Sequence, residues 1–310
     1  MNKGRLFKEL TLAQLRSFCV VARVGSYAAA ARELSLTSPA VWEQMQGLER
    51  HYGCRLLVRR GNGIAVTAEG EQLLEMVRPL LAGIDSTRDA MHQRGGELPA
   101  AMTVATNLRV LAEEISQGLR DFQKVHPGIR LRLIFTGNDV DQRIASGEAD
   151  VGFTLEPGPD NPCASAVVYG PAGEVDYLLI APRGHRLVRT RPLALWRIVE
   201  HPLVLGEAAA YSRRRVQEVL HRHDLTSAVK LAVETSSDEY TLSCVRAGLG
   251  VGITVGTGRG QLYRDLGVRS LRRWFGTARL GFMWKRGARV LDVQRALANS
   301  IEQSVASKQQ

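Results

Sequence analysis

Ser38, Trp42, Glu43 and Gln46 carry the most informative chemistry in this chain of 310 residues. A hydroxyl, an indole edge, a carboxylate and an amide shown together on one side of a helix can hydrogen-bond and pack against base edges in a DNA groove. Val41, Met45 and Leu48 recur at i, i+4 and i+7, a buried face that leaves those four positions outside the core. Thr37 reads as the N-cap, and Pro39 falls in the first turn, where its missing N–H costs nothing. Upstream, Gly25-Ser26 supplies a turn and a cap for a small-residue helix, Ser26 to Leu34, through Ala28 to Ala31. Two helices joined so tightly form a helix-turn-helix whose second member, Ser38 to Arg50, lies free for a groove. The same spacing also fits a piece of helical core with no partner.

The flanks must position this pair. Leu12, Leu15, Phe18, Cys19 and Ala22 form an amphipathic helix that closes a three-helix unit. Downstream the spacing predicts a strand at Leu56 to Val58, a basic turn at Arg59 to Gly63, a return strand at Ile64 to Val66 and a new helix from Thr67. That is a wing, with Arg59 and Arg60 set to meet phosphate. Residues 1–65 hold 10 Lys+Arg and 4 Asp+Glu, a balance of +6, while the other 245 residues hold 31 and 27, a balance of +4. A small positive module suits a polyanion.

From Thr67 to about Arg94 one long helix is expected, with Thr67 as its cap and Glu69 and Glu71 in the first turn, where they oppose the helix dipole. Leu73, Val77, Leu80, Ile84, Thr87 and Met91 make a heptad-like seam that Leu74 and Leu81 widen. The natural cover is the same helix of a second chain; the competing arrangement packs the seam on the chain's own second domain. Pro79 is expected to kink the helix or break one hydrogen bond. GGELPA at 95–100 reads as a hinge, after which strands and helices alternate. Strands are expected at 102–106, 129–137 and 149–155, with helices from Asn107 to Lys124 and Asp139 to Ser146, a βαβαβ unit with a parallel sheet. A second unit has strands at 175–182, 202–207, 229–235 and 251–256, and helices near Leu193–Val199, Tyr211–His223 and Ser237–Ala247. A returning strand at 277–286 and a closing helix from Val290 to Val305 complete the chain.

At this point the chain resembles the LysR-type transcriptional regulators. The matching residues are Leu12-x-x-Leu15-x-x-Phe18, Gly25-Ser26, Ala30-Ala31-x-x-Leu34, Ser38-Pro39-Ala40-Val41, Leu48-Glu49-x-x-x-Gly53, Leu56-x-x-Arg59 and Thr67-x-x-Gly70. They run in order without gaps over roughly sixty positions, and the second half of the chain is consistent with the family's effector domain. The resemblance implies a winged helix-turn-helix domain over 1–66, a linker and dimerisation helix over 67–94, a hinge at 95–100 and an effector-binding domain over 101–310. That last domain resembles the periplasmic binding proteins: two doubly wound α/β subdomains, one about 101–168 plus 270–310, the other about 169–269. The implied DNA-facing set is Ser26, Thr37, Ser38, Pro39, Trp42, Glu43, Gln46, Arg59, Arg60 and Thr67. In the implied cleft, strand ends and helix starts gather Thr106, Asn107, Thr136, Asn138, Ala208, Thr235 and Ser236. Free amides and hydroxyls converging there favour a small anion. Ordinary capping explains each of these residues singly; the set at one cleft favours ligand contact. The implied protein is a ligand-responsive regulator of double-stranded promoter DNA, a homodimer through the linker helix assembled into a homotetramer, cytoplasmic and nucleoid-associated when bound.

Composition agrees. Hydrophobic residues make up 45% of the chain, no run approaches 18 apolar residues, and the N-terminus has no apolar core of a secretory signal, so neither a membrane span nor export is expected. Cys19, Cys54, Cys163 and Cys244 lie far apart, which fits reduced thiols in a cytoplasm. No cofactor, metal site or catalytic constellation is expected. Gly248-Leu-Gly250-Val-Gly252 follows a helix and enters a strand, the reverse of a dinucleotide-binding turn. His221 and His223 are two apart, so on a helix they face apart; His126, His185 and His201 adjoin turn-like residues. From Arg264 to Arg295 the chain holds 9 Lys+Arg against 2 Asp+Glu, read by default as a solvated face, with an auxiliary DNA contact or a tetramer interface as the alternative.

One departure matters. Members of the family usually have Gln before the proline, and Ser-Arg where this chain has Trp42-Glu43; here Ser38 precedes Pro39. A groove-facing Glu repels phosphate but accepts from the cytosine amino group, and a Trp packs on thymine methyls or sugar. This keeps open a small-molecule-binding protein whose N-terminal module has lost or altered specific DNA recognition. Glu43→Ala is expected to relax sequence preference more than it weakens binding to unrelated DNA, as read by gel shifts on specific and random duplexes; equal losses on both would remove Glu43 as a base reader.

Overall fold

A computed structural model describes residues 10–61, 63–94, 98–137, 139–157, 165–208 and 210–308. They belong to two compact units, Met1–Gly95 with Lys285–Arg289, and Gly96–Trp284 with Val290–Gln310. The expected hinge at 95–100 lies partly, and Asn138 and Cys163 wholly, outside the described residues.

The first unit contains α1 (Leu12–Val24), α2 (Tyr27–Leu34), α3 (Ser38–Tyr52), β1 (Leu57–Arg60), β2 (Gly63–Val66) and α4 (Ala68–Arg94). Each helix starts on a side-chain cap. Thr11 forms a capping box with Gln14, Ser26 Oγ accepts from Ala29 N at 3.4 Å, Thr37 Oγ1 from Ala40 N at 3.3 Å, and Thr67 Oγ1 from Gly70 N at 3.0 Å. The turn between α2 and α3 passes through Ser35 in the left-handed region, φ 55°. Phe18, Val41, Met45 and Leu48 are fully buried at the centre of the unit, each stabilising it by roughly 1.5–3 kcal/mol.

One carboxylate joins the second helix of the pair to the wing. Glu49, 8% exposed, accepts through Oε1 from Leu56 N (2.9 Å) and Leu57 N (3.2 Å), and through Oε2 from Arg55 Nη1 (3.2 Å) and Gln46 Nε2 (3.4 Å). Where α4 starts, Thr67 donates from N to Leu56 O and from Oγ1 to Arg55 O. Helix and strand approach so closely here that a Cβ on Gly70 would lie 2.3 Å from Leu56 O. The Thr67-x-x-Gly70 motif is therefore a packing requirement.

Two expectations for this unit need correction. The basic residues do not make the turn: β1 continues to Arg60, which pairs with Gly63. The heptad-like seam is also divided. Leu73, Leu74, Val77 and Leu81 belong to the unit's own core, while Leu80, Ile84 and Met91 are exposed and Met76 joins them at 62% exposure. The first turns of α4 pack on their own domain because the three-helix unit is too small to close without them.

In the second unit β3 (Ala101–Thr106), β4 (Arg130–Phe135) and β5 (Val151–Leu155) alternate with a 3₁₀ turn (Arg109–Leu111), α5 (Ala112–Val125) and α6 (Val140–Ser146). Then come β6 (Val167–Pro182), α7 (Arg186–Arg189), α8 (Leu195–Val199), β7 (Pro202–Gly206), α9 (Tyr211–Arg222), β8 (Lys230–Thr235), α10 (Asp238–Arg246) and β9 (Val251–Gly256). Last are β10 (Leu266–Ser270), α11 (Arg272–Phe275), β11 (Thr277–Lys285) and α12 (Asp292–Ser307). One hydrogen-bonded path, β4-β3-β5-β11-β6-β9-β7-β8, joins both halves, with β10 on β6. Each half has three parallel strands, and β6 and β11 cross between them antiparallel to β9 and β5. So β6, expected at 175–182 as the opening of the second βαβαβ unit, is instead a 16-residue crossing strand. The helix expected from Asn107 starts at Ala112 after the 3₁₀ turn, and β10 lies in a stretch where no strand was expected.

Seven of the nine basic residues of the C-terminal stretch are exposed, as a solvated face requires, and some of the nine are also tied within the domain. Arg269 caps α7 by donating to Leu187 O and Thr190 O, Arg272 pairs with Glu174 and Asp176, and Arg279 with Glu156. The glycine run after α10 is a helix stop with close packing, since Gly248 is left-handed at φ 81° and a Cβ on Gly250 would lie 2.3 Å from Pro202 O. Glu49→Ala would leave two buried wing amides without acceptors and is expected to cost about 2–4 kcal/mol, measured by urea denaturation; a loss within experimental error would show that the wing does not depend on this carboxylate.

Candidate functional site

The first unit presents a groove between its two short helices and the wing. Ser26, Ser38, Trp42 and Gln46 line one side, and Arg55, Val58 and Arg59 the other. Trp42 is 50% exposed, and Ser38 and Glu43 are exposed on the same helix. The caps Ser26 and Thr37 use their hydroxyl oxygens as acceptors at the helix starts. Gln46 gives one amide proton to Glu49 and keeps its carbonyl. Of the two wing arginines, Arg59 stands in the groove wall and Arg60 does not. Thr37, Pro39, Glu43 and Thr67 also lie outside the wall, Thr67 with its hydroxyl engaged at the start of α4. Arg55, which the sequence reading missed, joins the wall while paired with Glu49.

The second unit has a cleft of about 200 Å³ where the carboxyl ends of the parallel strands of both halves meet. In each half the first strand lies between the second and third, so the crevice opens where the connections diverge. Asn107, Thr136, Thr235 and Ser236 line it as expected from their strand-end positions. Thr106 lies beneath the wall, 3% exposed, because its hydroxyl accepts from Leu108 N at 3.1 Å and closes the turn. Ala208 is not among the lining residues. Asn107 Oδ1 accepts from Thr154 Oγ1 at 2.9 Å, and Thr136 Oγ1 accepts from Arg143 Nε at 3.2 Å. Thr235 faces inward, its hydroxyl 2.6 Å from that of Thr241, while Ser236 is exposed to the cleft.

The charged members of the wall did not emerge from the sequence. Arg109 lies over the Phe135 ring, 3.6 Å from its centroid, and donates from Nη1 to Glu239 Oε2 at 3.1 Å, a tie from one half to the other. Its Nε is buried and has no partner among the described residues. Four carboxylates face the same cavity: Asp141, Glu156, Glu207 and Asp238. Glu156 is paired with Arg279, and Asp238 accepts from Thr254 Oγ1 at 2.5 Å. Desolvation raises the Asp238 carboxyl above the ordinary 3.8, outweighing the Thr254 hydrogen bond. The folded chain thus holds this proton to higher pH than the unfolded one. The stability it contributes is complete below 3.8 and is lost as pH rises through the folded value. Asp238→Asn, which keeps an acceptor for Thr254, is therefore expected to gain Tm over the parent as pH rises from about 4 to about 7. Thermal melts across that range check it, and a difference that does not vary with pH would clear Asp238.

Both units match described families. Residues 12–71 match the model "Bacterial regulatory helix-turn-helix protein, lysR family", and residues 115–306 match "LysR substrate binding domain". The HTH-type transcriptional activator CmpR of Synechocystis sp. is 29% identical over 247 residues, 79% of each chain. The HTH-type transcriptional regulator CbbR of Xanthobacter flavus is 26% identical over 313 residues, 96% of this chain and 89% of that one. Among solved structures, a full-length OxyR variant from Pseudomonas aeruginosa shares the fold with a TM-score of 0.68 at 18% identity, over 94% of both chains. A helix pair with its wing, followed by a sheet of two crossed halves around a cleft, matches the two family models in order, and the chain belongs to the LysR family of helix-turn-helix transcriptional regulators.

Proposed function

We propose that this regulator reads promoter DNA through the groove between α3 and the wing, and that a small effector carrying an anionic group binds in the cleft of the second unit. The observation that carries the first part is the groove itself, in which Ser38, Trp42 and Gln46 stand opposite Arg59. Base-edge donors and acceptors on one side and a phosphate-binding cation on the other are what a recognition helix with a wing requires. For the effector, the support is Arg109, with a buried guanidinium nitrogen awaiting an acceptor at the cleft wall. No described helix is long and apolar enough to cross a membrane; the working place of such a regulator is the cytoplasm, on the nucleoid.

The chain acts as a homodimer through α4, and two dimers form a tetramer. Met76, Leu80, Ile84 and Met91 leave an exposed apolar stripe at helical spacing along α4, the pattern that a second copy of the same helix covers. Effector binding changes the relative pose of the two halves around the cleft. The dimer arrangement transmits that change to half-site spacing or DNA bending, and so to promoter output.

A gel shift with the promoter region beside the protein's own gene, with salt challenge and competitor DNA, tests the DNA reading. A complex that survives competitor is expected, and its absence would overturn sequence-specific regulation at that site. Sedimentation of Leu80→Glu at micromolar concentration is expected to show monomers where the parent forms dimers or tetramers; an unchanged assembly would place the interface elsewhere.

A further inference from the structure

Two opposite charges face the cleft without meeting each other. Arg109 brings from the first half a buried Nε that has no partner among the described residues. Glu207, which follows β7 in the second half, is exposed to the cavity, and its carboxylate has no ion pair or hydrogen bond among the described residues. The other acids of the wall are accounted for within the protein. Glu156 is held by Arg279 and Asp238 takes the Thr254 hydroxyl, and Asp141 has a partner of its own. What remains for a ligand is the Nε of Arg109, whose Nη1 is taken by Glu239, the carboxylate of Glu207, and the neutral polar groups of Asn107, Ser212 and Ser236.

This pattern selects among ligands. A simple carboxylate would satisfy Arg109 and leave Glu207 facing added negative charge. A phosphate ester would bring more negative charge to a wall with four carboxylates and one guanidinium. An amine alone would match Glu207 and leave the buried Nε without an acceptor, a cost comparable to a lost hydrogen bond. The cavity, about 200 Å³, is below the roughly 300–1,000 Å³ of sites for drug-sized ligands, so the ligand is small.

We propose that the effector is a small zwitterion of the amino-acid class, its carboxylate on Arg109 and its ammonium on Glu207. Phe135 holds the guanidinium plane on one face and Glu239 engages its Nη1, which restrains the group and leaves Nε as the nitrogen with no protein acceptor among the described residues. The inference rests on the cleft being the effector site.

Calorimetric titration of the full-length protein tests it with three probe sets: the standard L-amino acids singly, the matching carboxylic acids without the amino group, and inorganic phosphate. At least one amino acid is expected to bind with a Kd below about 1 mM, and its deaminated counterpart at least about tenfold more weakly. Glu207→Gln, an exposed and conservative change, should weaken that binding by about tenfold or more, as should Arg109→Met, with circular dichroism confirming that each variant is folded. Binding of the carboxylic acid equal to that of the amino acid, preference for phosphate, no binding by any amino acid, or indifference to Glu207→Gln would each overturn the zwitterion. The promoter gel shift without ligand reads the DNA function separately. A selective DNA complex with no amino-acid binding sinks this inference alone, whereas loss of the complex bears on the regulator reading.

Discussion

A buried backbone amide must find a carbonyl, and in the second unit that requirement makes one sheet of two halves. Neither parallel trio, β4-β3-β5 or β8-β7-β9, connects to the other except through β11 and β6. β6 manages this with sixteen residues, pairing with β9 through Asp176 to Ile180 and with β10 through Leu178 to Pro182. Because each trio places its first strand in the middle, the helices of each half leave in opposite directions from one crevice. The cleft is thus a consequence of strand order, and side chains at Asn107, Thr136, Glu207 and Ser236 line it because their strands end there.

The two halves are also joined by side chains, several of them from one short stretch. Glu113 Oε1 accepts from Gln261 N at 2.6 Å, while its Oε2 pairs within the first half with Lys308 at 3.3 Å. Glu114, 2% exposed, accepts from Thr257 Oγ1 at 2.8 Å. Arg109, four residues earlier than Glu113, holds Glu239. Residues 109–114 therefore connect the first half to the second while their leading member faces the cleft. A ligand on Arg109 Nε would share a guanidinium with the Glu239 tie, so binding and the pose of the halves would be linked through one group rather than through a distant relay.

Local chemistry made much of this readable from the sequence. Ser26, Thr37 and Thr67 cap helices because a small polar oxygen before an apolar period has few other uses, and Val41, Met45 and Leu48 are buried because a 3.6-residue period leaves one face. The strand positions of both trios followed from short apolar runs. What escaped was decided by partners far along the chain. Periodicity marked the stripe on α4 as apolar but not which part the domain's own core would cover, so Leu73 and Val77 went inward and Met76 outward. Thr106 ends the first strand and Arg109 follows it, yet only the fold shows that the threonine closes a turn and the arginine lines the cleft. Glu49 was visible as part of a motif, but its role depends on Leu56 and Leu57 returning to it.

The same partner logic bears on how the DNA-facing surface works. Arg59 is the cation of the groove wall without an acidic partner among the described residues, since Arg55 gives a nitrogen to Glu49 and Arg60 is not part of the wall. Glu43 adds an exposed carboxylate on the recognition helix itself. Each phosphate neutralised contributes to affinity through released counterions, whatever the sequence. A groove with few uncommitted cations gains little from that source, so more of its affinity has to come from contacts with base edges and methyl groups. With this helix in a groove as proposed, Trp42, half exposed beside Glu43, would supply the apolar surface for such contacts, and the carboxylate next to it would penalise duplexes that do not offer it a donor.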